Sequence, residues 1–228
     1  MAPPEYRHEY KHAINMFDYH TLRQRIRVVA RPDPNAGADG LYHIRSLYFD
    51  NDEDKALREN LDGLPQREKF RLRLYNGKSD LIRLEKKSKV HGLCNKQSVT
   101  LTQEEAQRIL DGDIGWMRHS PHPLLVELYS KMGFQRLRPR TIVDYMREAY
   151  VFPYGNVRIT FDSQVRTGLY STSLFDADLP TLAAGEPGVL LLEVKYDRFL
   201  PDVIRDVIQT NTRQTQTFSK YAACRIYG

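Results

Sequence analysis

Residues 69–90 read KFRLRLYNGKSDLIRLEKKSKV. Lys69, Arg71 and Arg73 occupy every second position before Asn76-Gly77, and Arg83, Glu85, Lys87 and Lys89 do so after it. Side chains spaced by two lie on one face of a strand. Rigid guanidinium forks and ammonium point charges on one face are the groups that hold multiply charged oxyanions. Across the whole chain the balance is mild, with 34 Lys and Arg against 29 Asp and Glu. From 66 to 96 it is not: ten basic residues (67, 69, 71, 73, 78, 83, 86, 87, 89, 96) face three acidic ones (68, 80, 85). Glu85 alone cannot neutralise four or five cations, and like charges opposite one another destabilise a sheet. An anionic partner is therefore expected to supply the missing charge.

The elements that must position these groups are short alternating runs, expected as strands over 5–14, 42–49, 69–75, 81–90, 97–101, 140–150, 157–165 and 189–196. Between them lie helical signals. Asp18 is expected to cap a helix bearing Leu22, Ile26 and Val29, and Thr102 with Glu105 forms a capping box. HPLLVELYSKMG reads as a helix closed by Gly133, and Val203, Ile204, Val207 and Ile208 as the apolar side of a last one. The class is α+β: one domain spanning 1–228, built on a large antiparallel sheet or barrel with peripheral helices.

An odd number of residues in the loop around Asn76-Gly77 would place both charged sets on one face, whereas an even number would set Arg73 beside Ile82. Other strands divide in the same way. Glu5, Arg7, Glu9 and Lys11 share one face, as do Arg158, Thr160 and Asp162. Glu193, Lys195 and Asp197 oppose Leu190, Leu192, Val194 and Tyr196. A barrel with apolar faces outward against helices and charges inward meets this pattern. Its interior would be a cationic tunnel for a phosphate ligand, with a divalent metal on the few carboxylates. Solvated outer faces are the plainer alternative, and five strands sharing the same cationic excess weigh against it.

Several other signals point elsewhere and are weaker. NGKS at 76–79 lacks the earlier glycine of a phosphate-binding loop, since position 72 is Leu, and Asn-Gly suits a hairpin turn. His119 and His122 sit among prolines, and His8 and His12 alternate away from Lys11; neither pair reads as a metal site. Asp50 reads as structural. The 14 tyrosines and 9 phenylalanines fall mostly at apolar strand positions, so no nucleic-acid partner is expected. With no run of 18 apolar residues, no signal-peptide character and two isolated cysteines, a cytoplasmic chain without a membrane span is expected.

Taken in order, YRHEYKHAI, IRSLYFDN, KFRLRLYNG, IRLEKKS, NKQSV, VDYMREAY, VRITFD, LLEVKYD and FSKY resemble a VTC domain, the polyphosphate-polymerase branch of the triphosphate tunnel metalloenzymes. The resemblance covers nearly the whole chain. It implies a triphosphate tunnel fold and transfer of the ATP γ-phosphate to inorganic polyphosphate with Mn²⁺ or Mg²⁺. It also implies that Arg71, Arg73, Lys87 and Arg147 form the catalytic set. Lys11, Lys96, Arg158, Lys195 and Lys220 join them in holding phosphates, and Glu193 is the metal ligand. Thr217 stands where a further basic residue is expected. No SPX domain or membrane helices accompany these motifs, so a tether or regulator would be a separate membrane protein. Removing Arg71 or Arg73 is expected to leave the fold intact or stabilised, by relief of like-charge repulsion.

Overall fold

The computed structural model describes residues 6–37, 39–210 and 218–226. The chain opens with β1 (His8–Ile14), α1 (Met16–Val29), β2 (Arg31–Pro32), β3 (Leu41–Asp50) and α2 (Lys55–Leu61). Then come β4 (Gln66–Tyr75), β5 (Lys78–Val90), β6 (Leu93–Leu101), α3 (Gln103–Leu110) and α4 (Pro123–Phe134). It ends with β7 (Arg138–Phe152), β8 (Val157–Thr167), β9 (Leu182–Ala183), β10 (Leu190–Tyr196), α5 (Asp202–Val207) and α6 (Lys220–Ile226). The pairs are antiparallel throughout, in the order β1-β10-β8-β7-β3-β4-β5-β6, with β2 on β7 and β9 on β8.

The expected closed barrel is realised only in part. Among the described residues the ladder has two ends, β1 and β6, which meet through one isolated bridge. Arg7 and Cys94 exchange backbone hydrogen bonds of 2.9 and 3.1 Å. Further along, side chains take over from backbone: Glu9 reaches Lys87 on β5 at 2.5 Å and accepts from the Cys94 thiol at 3.1 Å. The sheet curls until its edges face each other, and ion pairs fill the seam.

The turn between β4 and β5 resolves the parity question unexpectedly. Asn76 and Gly77 both adopt positive φ (54° and 67°), making a two-residue hairpin turn, and glycine suits its place because it carries no Cβ. That even loop alone would have put the charged sets on opposite faces. An irregularity restores them: Tyr75 pairs with Lys78, but Arg73 pairs with Arg83, a register shift of three. Beyond it Arg71 opposes Glu85 and Lys69 opposes Lys87.

With the charges inward, the other face packs outward against helices. Phe70, Leu72, Leu74, Ile82 and Leu84 are buried with Ala106 and Ile109 of α3 and Leu125, Leu128 and Met132 of α4. On the opposite side Leu22 and Ile26 of α1 and Ile204 of α5 cover Ile159, Phe161, Leu192 and Val194. Two expected helix boundaries move. Asn15, not Asp18, caps α1, with Asp18 as the third residue of a capping box, because Asn15 holds the extended backbone an N-cap requires. Gly133 lies within α4, which runs on to Phe134 and is capped at Gln135. The Thr102–Glu105 box is as expected. Helices α2 and α6 had no clear amphipathic signal; each has seven residues. No helix among the described residues is long and apolar enough to cross a membrane.

Candidate anion-binding cavity

The curled sheet encloses a cavity of about 870 Å³. Among the described residues thirteen Lys and Arg side chains line it, against two carboxylates, Glu9 and Glu193. Every cation that the family resemblance assigns to the site is on this wall, whereas Arg83, which shares the charged face by alternation, is not among its lining residues. Arg71 and Arg73 come from β4, Lys87 from β5, Lys96 from β6, Arg147 from β7, Arg158 from β8, and Lys11 and Lys195 from β1 and β10. Lys220 enters from the first turn of α6. Glu193 is on the same wall, in direct register with Lys11. Thr217 and Glu5 lie outside the described residues.

The cations are not left bare. Beneath the wall, Glu85 is fully buried and accepts two hydrogen bonds from Arg71, at 2.8 and 2.6 Å. Lys96 approaches it at 3.0 Å and Arg73 at 3.6 Å. Burial pushes the Glu85 carboxyl up, but Arg73, Arg71 and Lys96 outweigh that and hold it well below the usual carboxylate range. Asp162 plays the same part for Arg147, held by two contacts at 2.5 and 2.7 Å, and for Lys220 at 2.5 Å. Arg158 pairs with buried Asp33 at 2.6 Å and also donates to the Tyr42 hydroxyl. Lys11 bridges Glu9 at 3.0 Å and Glu193 at 3.6 Å, and Lys195 pairs with Glu193.

Buried carboxylates therefore supply part of the counter-charge that had been assigned wholly to a ligand. They also pin each guanidinium, so the donor lattice stands ready before anything binds. Arg73 illustrates the geometry: its Nε donates to Ser46 Oγ at 3.0 Å and its Nη2 to the Tyr145 hydroxyl at 3.2 Å. Positive charge remains in excess, which is the electrostatic signature of an anion site.

The two inward carboxylates are strongly perturbed. Burial and the nearby Glu193 raise the Glu9 carboxyl, yet Lys87, Lys11 and Lys195 bring it down to about 2. Burial likewise opposes ionisation of Glu193, and Lys195, Lys11 and Lys87 override it. Both are thus anionic at neutral pH. No group of three metal-ligating side chains occurs among the described residues. Two ionised carboxylates fit a Mg²⁺-type ion, which takes one or two protein carboxylates and completes its shell with phosphate oxygens and water.

Sequence reasoning missed several wall residues. Tyr48 and Tyr145 sit in strands read as core, yet Arg71 Nη1 donates to the Tyr48 hydroxyl at 2.8 Å, and Arg71 lies over the Tyr48 ring and Arg147 over the Tyr145 ring. Arg7, Arg67, Lys69 and Lys89 also line the cavity. Their alternation was visible; their convergence depended on how the sheet curls. Asp50 proves structural: it accepts from the Ala56 and Leu57 amides opening α2 and from the Tyr221 hydroxyl at 2.6 Å.

A curled antiparallel sheet around a basic cavity defines a tunnel-like α+β fold with an anion-suited interior. The profile of the VTC domain family matches residues 6–226, and this chain belongs to that family. No curated protein matches it. Among solved structures it is similar to a Bacillus halodurans candidate adenylate cyclase, with 12% identity and a TM-score of 0.52, covering 89% of this chain and 86% of that one. It is also similar to a Hippeastrum protein described as a candidate adenylyl cyclase with a dominant triphosphatase activity, at 11% identity and a TM-score of 0.50, covering 89% and 84%. At such identities the likeness speaks to the fold alone.

Proposed function

We propose that this chain is a metal-dependent polyphosphate polymerase that transfers the γ-phosphate of ATP to the end of an inorganic polyphosphate chain. The observation that carries the reading is a cavity with thirteen cations and two carboxylates on its wall in a VTC domain. Phosphoryl transfer asks the protein for positioning and charge stabilisation more than for covalent help. In this reading Arg71, Arg73, Lys87 and Arg147 hold the transferred phosphoryl group and its neighbours. Lys11, Lys96, Arg158, Lys195 and Lys220 guide the remaining phosphates.

Glu85 and Asp162 fix the orientation of the arginines, so little reorganisation is needed when substrate arrives. Glu193, with Glu9 beside it, would hold Mn²⁺ or Mg²⁺, which would neutralise charge on phosphate oxygens. The small number of inward carboxylates favours transfer over hydrolysis, which needs more acidic groups for metal and water. Use of ATP suits a cytoplasmic site, with any membrane protein as a separate partner.

Phosphorus NMR of the purified chain with ATP and Mn²⁺ or Mg²⁺ tests the reading. A growing mid-chain polyphosphate resonance with ADP supports it. Orthophosphate without chain growth moves the assignment to a tripolyphosphatase-like hydrolase, and unconsumed ATP with shifted resonances moves it to a binding subunit. Glu193→Gln is expected to bind tripolyphosphate within a few-fold of wild type while losing metal-dependent turnover; unchanged turnover would remove Glu193 as the metal ligand.

A further inference from the structure

Lys69 differs from five of the six other lysines that line the cavity, all but Lys89. Lys11 and Lys87 contact Glu9, Lys195 contacts Glu193, Lys96 contacts Glu85 and Lys220 contacts Asp162. Lys69 has no carboxylate partner among the described residues. Its Nζ donates to Ser219 Oγ at 2.9 Å and lies 5.3 Å from the centre of the Tyr221 ring. The groups facing it are mostly cationic. Lys87 stands directly opposite in register on β5, Arg67 and Arg71 flank it on its own strand, and Lys11 approaches from β1. Arg71 is committed to Glu85, and Arg67 donates to the Leu64 carbonyl. From β3 the anion acting on it is Asp50, whose oxygens are already taken by three amides and Tyr221. From α6 come the Tyr221 ring and Lys220, the latter on Asp162.

We propose that Lys69 is the proton-linked anchor of the cavity: a phosphate chain binds together with one proton, and that proton ends on Lys69 Nζ. The inference rests on the phosphate-binding reading above and names the residue that makes binding depend on pH. An ammonium enclosed by other cations and a hydroxyl lacks the anion that would hold its charge. Burial, then Lys11, Lys87 and Arg67, bring the Lys69 amine down to about 7, with Asp50 pulling weakly the other way. A bound phosphate supplies the missing anion and favours the charged form. The nitrogen lone pair takes a proton from the solvent buffer, and no P–O bond in the ligand breaks.

Titration calorimetry with metal-free inorganic tripolyphosphate at about pH 8, in two buffers of different ionisation heat, counts the protons taken up. The terminal phosphates of the free ligand hold a fraction of a proton at this pH and release it among cations, so the count is read as the difference between wild type and Lys69→Arg, which carries its charge at every accessible pH. Wild type is expected to take up close to ~1 proton per ligand more than Lys69→Arg, and its affinity to fall toward ~10-fold more steeply per pH unit above neutrality. Lys69→Met is expected to bind more weakly, with the proton count of Lys69→Arg. Equal proton counts in wild type and Lys69→Arg overturn the role of Lys69 and leave the phosphate site standing. Failure of wild type to bind tripolyphosphate overturns the phosphate reading, and the anchor with it.

Discussion

Glu85→Gln is expected to destabilise the protein by about 3–5 kcal/mol, the cost of leaving buried charges without their partner. Glu85 is fully buried and serves Arg71, Arg73 and Lys96 together. Gln keeps the shape and one acceptor but removes the only full negative charge beneath these three groups. Of the cations that stay behind, Arg73 also faces Arg83 across the β4–β5 pair and Lys96 faces Lys87 across the β5–β6 pair. Urea unfolding at neutral pH measures the loss, and a variant within about 1 kcal/mol of wild type would show that the cations are neutralised some other way.

The pH dependence has a definite sign. The folded-state carboxyl is held well below its ordinary 4.5, so its stabilisation is present above about 4.5 and is withdrawn as pH falls through the folded value. Wild type should therefore lose more stability on acidification than Glu85→Gln, which has no such proton to take up. Tripolyphosphate should narrow the neutral-pH gap by supplying the negative charge that Glu85→Gln removes: at saturating ligand, each tenfold by which the variant binds it more tightly than wild type returns about 1.4 kcal/mol.

Much of this arrangement is legible in sequence because strand alternation is a local signal. Phe70, Leu72 and Leu74 against Lys69, Arg71 and Arg73 declare one apolar and one charged face without reference to the rest of the chain. Nine of the ten site residues expected from motif order lie on strands and reach the cavity wall for that reason, and Lys220 reaches it from the first turn of α6. Closure is not local. Whether β1 and β6 meet by backbone or by side chains depends on sheet curl, and the single Arg7–Cys94 bridge has no sequence mark. The same holds for the three-residue register shift after Asn76-Gly77, which compensates an even turn. Nor does alternation reveal which carboxylate lies under which cation. Glu85 is one acidic residue among basic ones in sequence, and only cross-strand register brings Arg71 opposite it and Lys96 within reach.

Arg73→Met and Arg71→Met should both abolish most tripolyphosphate binding, yet they should part company in stability. Each removes a fixed, mostly desolvated cation, a change that costs about 2–5 kcal/mol of binding, or roughly thirtyfold or more in Kd. Arg73 stands opposite Arg83, contacts Glu85 only at 3.6 Å, and otherwise leans on Ser46 and Tyr145 hydroxyls. Its loss relieves a like-charge pair and leaves the Arg71–Glu85 contacts in place, so the unliganded fold should hold or gain.

Arg71 is the principal partner of Glu85, and its loss leaves that buried carboxylate with Lys96 and a distant Arg73. The sequence-based expectation that either arginine can be removed without cost is therefore narrowed to a prediction for Arg73 alone. The double variant Arg71→Met/Glu85→Gln deletes both halves of the pair and should recover much of the stability lost by Arg71→Met, with binding still absent. Calorimetry with tripolyphosphate beside urea unfolding decides it. Normal binding by Arg73→Met removes it from the anion site, and equal stability of the two single variants removes the pairing of Arg71 with Glu85 as the reason they should differ.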